Sequence, residues 1–119
     1  MNRFRKNLAF GRRLGFALAG LGLAWRRERS LRTQAVVAGF LILVLAALGA
    51  SALWWALAGL AATTVMAAEV LNAAIERLVD HLHPDDHPAV RETKDMAAGG
   101  VLLAAFGALW VGLLLLFGS

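Results

Sequence analysis

Glu69, Asn72, Glu76 and Asp80 fall at i, i+3, i+7 and i+11. At about 100° per residue they form one polar stripe along a helix that is otherwise apolar. Carboxylates at the edge of a membrane segment are costly and usually mark a functional site. Glu69 borders the uncharged run Thr33–Ala68, and Met96–Ser119 is a second uncharged run. Glu28 and Glu76 are hard oxygen ligands suited to Mg²⁺, which takes one or two carboxylates together with phosphate oxygens. Lys94 lies near a helix start, where a positive charge beside unpaired backbone donors favours phosphate. Glu69, the deepest of these acids, is placed to take a proton from an alcohol lying in the bilayer. Read together, the groups describe phosphoryl transfer from a soluble nucleotide to a lipid hydroxyl. Such transfer depends mainly on positioning and charge neutralisation, which a few side chains can supply.

The elements that must position these groups are membrane helices. The 119 residues are 60% hydrophobic, with mean hydropathy +0.66. That size allows one membrane domain over 1–119 and no separate soluble domain. Residues 4–25 carry Arg5, Lys6, Arg12 and Arg13 against Phe4, Leu8, Phe10, Leu14 and Phe16, a pattern that suits an amphipathic helix lying in the headgroup layer. Ala17-Leu18-Ala19 has the form of a signal-peptide cleavage site, but the preceding apolar run is far shorter than the roughly 7–15 residues a signal needs. Spans are expected over 31–50, 52–81 and 90–117, with a turn at Gly49-Ala50-Ser51 and a break in the Pro-containing stretch His81–Pro88. Trp54 and Trp55 belong at the far interface. Nine of the twelve Lys and Arg residues lie within the first 32, which argues for a cytoplasmic N-terminus. The second helix is on the order of 45 Å long, so its last turns emerge into the cytoplasm and bring Glu76 and Asp80 to water.

Other chemistries fit less well. The chain has no cysteine, so it offers no disulfide or thiolate. The basic residues flank membrane segments without aromatic interleaving, which speaks against nucleic acid. No Gly-x-x-x-x-Gly-Lys-Ser/Thr loop is present, so a nucleotide site has to be built from helix ends, and three thin helices imply that subunits share it. His81, His83 and His87 lack the helical i, i+4 scaffold of a zinc site. Asn72 taken alone fits interhelical hydrogen bonding, and Ala97, Ala98 and Gly100 fit close helix packing. Asp80, Arg77, Arg91 and Glu92, each taken singly, read as solvated boundary charges. A small proton-coupled transporter using Glu69 is the competing function, and it needs neither Lys94-Asp95 nor Glu28.

The segment Glu69-Val70-Leu71-Asn72-Ala73-Ala74-Ile75-Glu76-Arg77-Leu78-Val79-Asp80 resembles the Glu-x-x-Asn-x-x-Ile-Glu-x-x-x-Asp signature of the prokaryotic diacylglycerol kinase family. Lys94-Asp95-Met96-Ala97-Ala98-Gly99 is similar to that family's Lys-Asp block at matching spacing, and Trp25, Glu28 and Arg32 fall where the family has them. The resemblance implies an all-α homotrimer in the bacterial inner membrane, with a surface helix and three transmembrane helices per subunit. It also implies ATP and Mg²⁺ dependence and active sites shared between subunits. By position, Glu69 would be the general base, Glu28 and Glu76 would hold the metal, and both would serve the nucleotide with Lys94 and Asp95. Gly15, Phe16, Asp85, Asp86 and His87 match or lie near nucleotide contacts. Asn72, Trp25, Arg32, Asp80 and Ala98 would support the site or touch the lipid. Two positions depart: Ala9 stands where an arginine is usual, leaving Arg5, Arg12 or Arg13 to substitute, and Gln34 stands where an acid is usual. The block from His87-Pro88 to Gly99 is closer to the undecaprenol kinase branch, so diacylglycerol and undecaprenol both stand as substrates.

Overall fold

The computed structural model describes the backbone of residues 3–118 and the side chains of residues 9–118. Phe4, Arg5, Lys6 and Leu8, expected on the two faces of the first helix, have side chains outside the described residues. Four helices follow in order: α1 (Arg3–Arg27), α2 (Arg29–Ala47), α3 (Ala52–Leu82) and α4 (Pro88–Phe117). The last three are long and apolar enough to cross a membrane.

The boundaries follow from local chemistry. Glu28 takes an extended conformation, φ −105° and ψ 105°, between α1 and α2. Arg32 reaches back across this elbow, its Nη1 donating to the carbonyls of Trp25 at 2.6 Å and Arg26 at 3.0 Å. Two carbonyls left open by the end of α1 are thereby satisfied. The expected first span, 31–50, runs instead from Arg29 to Ala47. It ends early because Gly49 adopts φ 61°. The Gly49 and Ala50 N–H groups donate back to Ala46 and Leu45 at 3.2 and 3.0 Å, a hydrogen-bonded helix stop that requires a left-handed residue. A Cβ on Gly49 would meet nothing within 4 Å, so only backbone strain opposes Gly49→Ala. That substitution is expected to cost about 1 kcal/mol, measured by thermal denaturation in detergent, with Gly49→Asn closer to wild type. Pro88 starts α4 two residues earlier than expected, because proline is pre-set for the first helical position.

α3 is the central element, packed most extensively against α4 and next against α2. Its buried residues Ala58, Val65 and Ala73 recur about every two turns and define the inward face. The core proper, Leu45, Ala58 and Leu115 with Leu41, Ala50 and Trp54 around them, lies at the end of the bundle beside the α2–α3 turn. Most large apolar side chains are exposed, among them Phe40, Leu60, Leu103, Phe106 and Trp110. Such coverage is suited to lipid and to other apolar surfaces, not to water. Thr63 and Thr64 return their hydroxyls to backbone carbonyls of their own helix, which removes unsatisfied donors from this apolar stretch.

The extents are 47 × 46 × 25 Å. α3, about 46 Å long at its 31 residues, accounts for one long axis. The second long axis requires α1, about 37 Å long, to run sideways from the bundle. This agrees with its few contacts, which involve α2 and α3.

Candidate active site

α2 has 19 residues, about 28 Å, while α3 and α4 have 31 and 30. The tight turn ties the end of α2 to the start of α3. The extra length therefore projects at the other end, where α3 finishes and α4 begins. Glu76, Asp80, Arg91 and Lys94 lie on this overhang. Leu45 packs beside Ala58, and counting back along α2 to Glu28 matches counting forward along α3 to Ile75. Glu28 therefore sits at about the depth of Asn72 and Glu76.

The α3 stripe is half-buried at Glu69, Asn72 and Glu76 and exposed at Asp80. Asn72 Nδ2 donates to Glu76 Oε1 at 3.3 Å, an i, i+4 bond along the helix. The other end of that amide, Oδ1, is buried and has no hydrogen-bond partner. A buried oxygen without a donor is costly in a purely structural role. Among the described residues, the side-chain carboxylates of Glu28 and Glu69 accept no hydrogen bond and pair with no cation.

At the junction of α3 and α4, Lys94 Nζ and Asp80 Oδ1 form an ion pair at 2.5 Å. A cavity of about 320 Å³ opens there, lined by Asp80 from α3, by His83, Asp85 and Asp86 from the connecting loop, and by Arg91, Lys94 and Asp95 from α4. Arg91 pairs with Asp86 at 2.5 Å across its rim. His87 precedes α4, and its Nδ1 accepts from the Ala89 N–H at 3.1 Å. Pro88 has no N–H to offer, and the Arg91 N–H is bonded to the His87 carbonyl. Among the described residues, Val90 alone keeps an uncommitted N–H in this first turn. The helix-end donors expected beside Lys94 are thus mostly spent, and anion binding falls to side chains.

Of the residues singled out from sequence, the structure joins Asn72 with Glu76, Asp80 with Lys94, and Trp25 with Arg32. It gathers Asp85, Asp86 and Asp95 around the Asp80–Lys94 pair. Phe16 is exposed on the projecting α1, and Gly15 and Ala98 are exposed as well, with no contact to the cavity. Sequence reasoning treated Arg91 as a boundary charge and gave His83 no role. The available signal for Arg91 was its i, i+3 spacing from Lys94, which puts both cations on one side of α4. A second cavity, about 370 Å³, lies among α2, α3 and α4, and Gln34 is its one polar lining residue among apolar ones such as Phe40, Val65 and Leu116.

Among the described residues no three His, Cys, Asp or Glu side chains form a metal cage. The donors still suit a hard cation held partly by phosphate. Glu28 leaves its carboxylate unused for capping, Glu76 has a free oxygen, and the orphaned Asn72 carbonyl adds a third oxygen donor on α3.

A family profile described as prokaryotic diacylglycerol kinase matches residues 15–116. The diacylglycerol kinase of Escherichia coli K12 is 31% identical over 90 residues, covering 76% of this chain and 74% of that protein. That of Helicobacter pylori 26695 is also 31% identical over 90 residues, with 76% and 70% covered. A Synechocystis diacylglycerol kinase is 35% identical over 98 residues, 82% of this chain and 56% of the other. The residues matched by the family profile include the α3 stripe, the loop and the Lys94–Asp95 block. The chain belongs to the prokaryotic diacylglycerol kinase family.

Proposed function

We propose that this chain is an ATP- and Mg²⁺-dependent lipid kinase that phosphorylates the hydroxyl of a bilayer alcohol, either diacylglycerol or undecaprenol. The observation that carries this reading is the Asp80–Lys94 pair. It joins the water-facing end of the carboxylate stripe to the start of α4, so a phosphate near Lys94 and an alcohol near Glu69 share one helix face. In the proposed reaction, the Glu69 carboxylate takes the proton of the lipid hydroxyl as its oxygen attacks the γ-phosphorus. The bond between that phosphorus and the β–γ bridging oxygen breaks, ADP leaves, and the lipid carries the phosphate away. Lys94 supplies positive charge to the phosphates of the nucleotide. Asn72 holds the Glu76 carboxylate in place through its amide. Glu28 and Glu76 would hold Mg²⁺, which would supply charge neutralisation to the phosphates.

On this reading the overhanging ends of α3 and α4 face the cytoplasm of a bacterial inner membrane, and α1 lies in the headgroup layer. Exposed apolar surface on all three spans is consistent with a homotrimer whose neighbours complete each site. The family match lends nothing to a transporter reading of Glu69.

The test uses purified full-length protein in mixed micelles with labelled ATP and Mg²⁺, offering diacylglycerol and undecaprenol side by side. Phosphate should appear on at least one lipid, with the ratio of turnover naming the substrate. Transfer to neither ends the proposal.

A further inference from the structure

Arg91 and Lys94, three residues apart on α4, line the same cavity, and each is held by an acid from outside the helix. Lys94 is paired from α3 by Asp80, and Arg91 is paired from the loop by Asp86. The Arg91–Asp86 pair is open to water, with side-chain exposures of 66% and 73%. Pairs so exposed contribute little and exchange readily. Few N–H groups remain in the first turn of α4, because those of Ala89 and Arg91 both donate to His87 and Pro88 has none. A polyphosphate in this cavity therefore depends on side-chain cations, and one ammonium is a single point charge. A guanidinium offers a planar fork that grips two phosphate oxygens at once.

We propose that Arg91 is a second phosphate ligand of the nucleotide site and that Asp86 is its latch, holding the guanidinium beside the cavity until a phosphate takes its place. The inference rests on the kinase reading above. It also gives Asp86 a definite role: an acid facing a polyanion acts through the cation it restrains.

The experiment measures ATP binding by calorimetry, and KM and kcat by lipid phosphorylation, on full-length protein with Mg²⁺. Arg91→Gln should raise Kd and KM about three- to tenfold, with a smaller effect on kcat. Asp86→Asn should lower Kd. Asp85→Asn makes the same charge change in the same cavity without releasing Arg91, so it should lower Kd less. In the Arg91→Gln background, Asp86→Asn should do no more than Asp85→Asn. If Arg91→Gln does not fold, Arg91→Lys keeps the charge, loses the fork, and should raise Kd by a smaller factor. Unchanged Kd in the Arg91 variants, equal effects of the two aspartate variants, or weaker binding in Asp86→Asn would each overturn the latch. The last outcome would make the pair a structural clasp. A wild-type protein that phosphorylates lipid while the Arg91 variants bind ATP normally removes only this proposal. A wild type that neither binds ATP nor phosphorylates lipid removes the kinase reading with it.

Discussion

Glu69→Gln should lower kcat by about 10²–10⁴-fold, the range that a positioned general base contributes, while ATP affinity stays largely unchanged. The amide is close in shape to the carboxylate and can still hydrogen-bond a hydroxyl, but it cannot accept the proton. Glu69 is half-buried one helical turn deeper than Asn72 and Ala73. It lies outside the cavity that holds Lys94, Arg91 and Asp95. Loss of turnover with binding intact therefore separates the two halves of the site. Stability should hardly change, since among the described residues the Glu69 carboxylate makes no hydrogen bond or ion pair. If the variant loses ATP binding and turnover together, Glu69 has a structural role and the base must be sought elsewhere on the stripe.

Most of the fold was legible because membrane helices announce themselves by length. The uncharged runs and the Pro-containing break located three long apolar helices to within a few residues. The differences are local. The stop after Ala47 depends on Gly49 adopting a left-handed backbone, and a glycine in an apolar run carries no mark that says so. The elbow at Glu28 depends on Arg32 reaching back to α1, while the arginine cluster around it reads only as positive charge.

Less of the site was legible. Periodicity reports which residues share a face of one helix, and it correctly grouped Glu69, Asn72, Glu76 and Asp80. It says nothing about which side chains on different elements touch. Asp80 and Arg91 both resembled solvated boundary charges, yet each is half of an ion pair that closes one cavity between α3, the loop and α4. Nor does the uncharged stretch of α4 beyond Asp95 reveal which of its faces meets a neighbour, since every side of it is hydrophobic. The orphaned oxygen of Asn72 is informative only once its partner Glu76 and its burial are known.

Lys94→Met should raise KM for ATP about ten- to a hundredfold, through the loss of one charge-assisted hydrogen bond to phosphate. The methionine keeps the apolar stem of the lysine and removes only the ammonium. Part of the loss comes from Asp80, whose carboxylate the variant leaves unpaired beside incoming phosphates. Asp80→Asn added to Lys94→Met should therefore lower KM for ATP again in part, although Asp80→Asn alone is expected to raise it by loosening Lys94. This change of sign between backgrounds distinguishes a phosphate site from a structural bridge. A bridge would show the two substitutions as equivalent, with the double variant no better than either. Folding is not the cause of either effect, because a pair exposed to 35% and 59% contributes little to stability. Lys94→Arg keeps the charge with a different reach and should fall between wild type and Lys94→Met. Should Lys94→Met bind ATP as tightly as wild type, the ammonium does not contact phosphate, and the donor site has to be rebuilt around the remaining cations of α1 and α4.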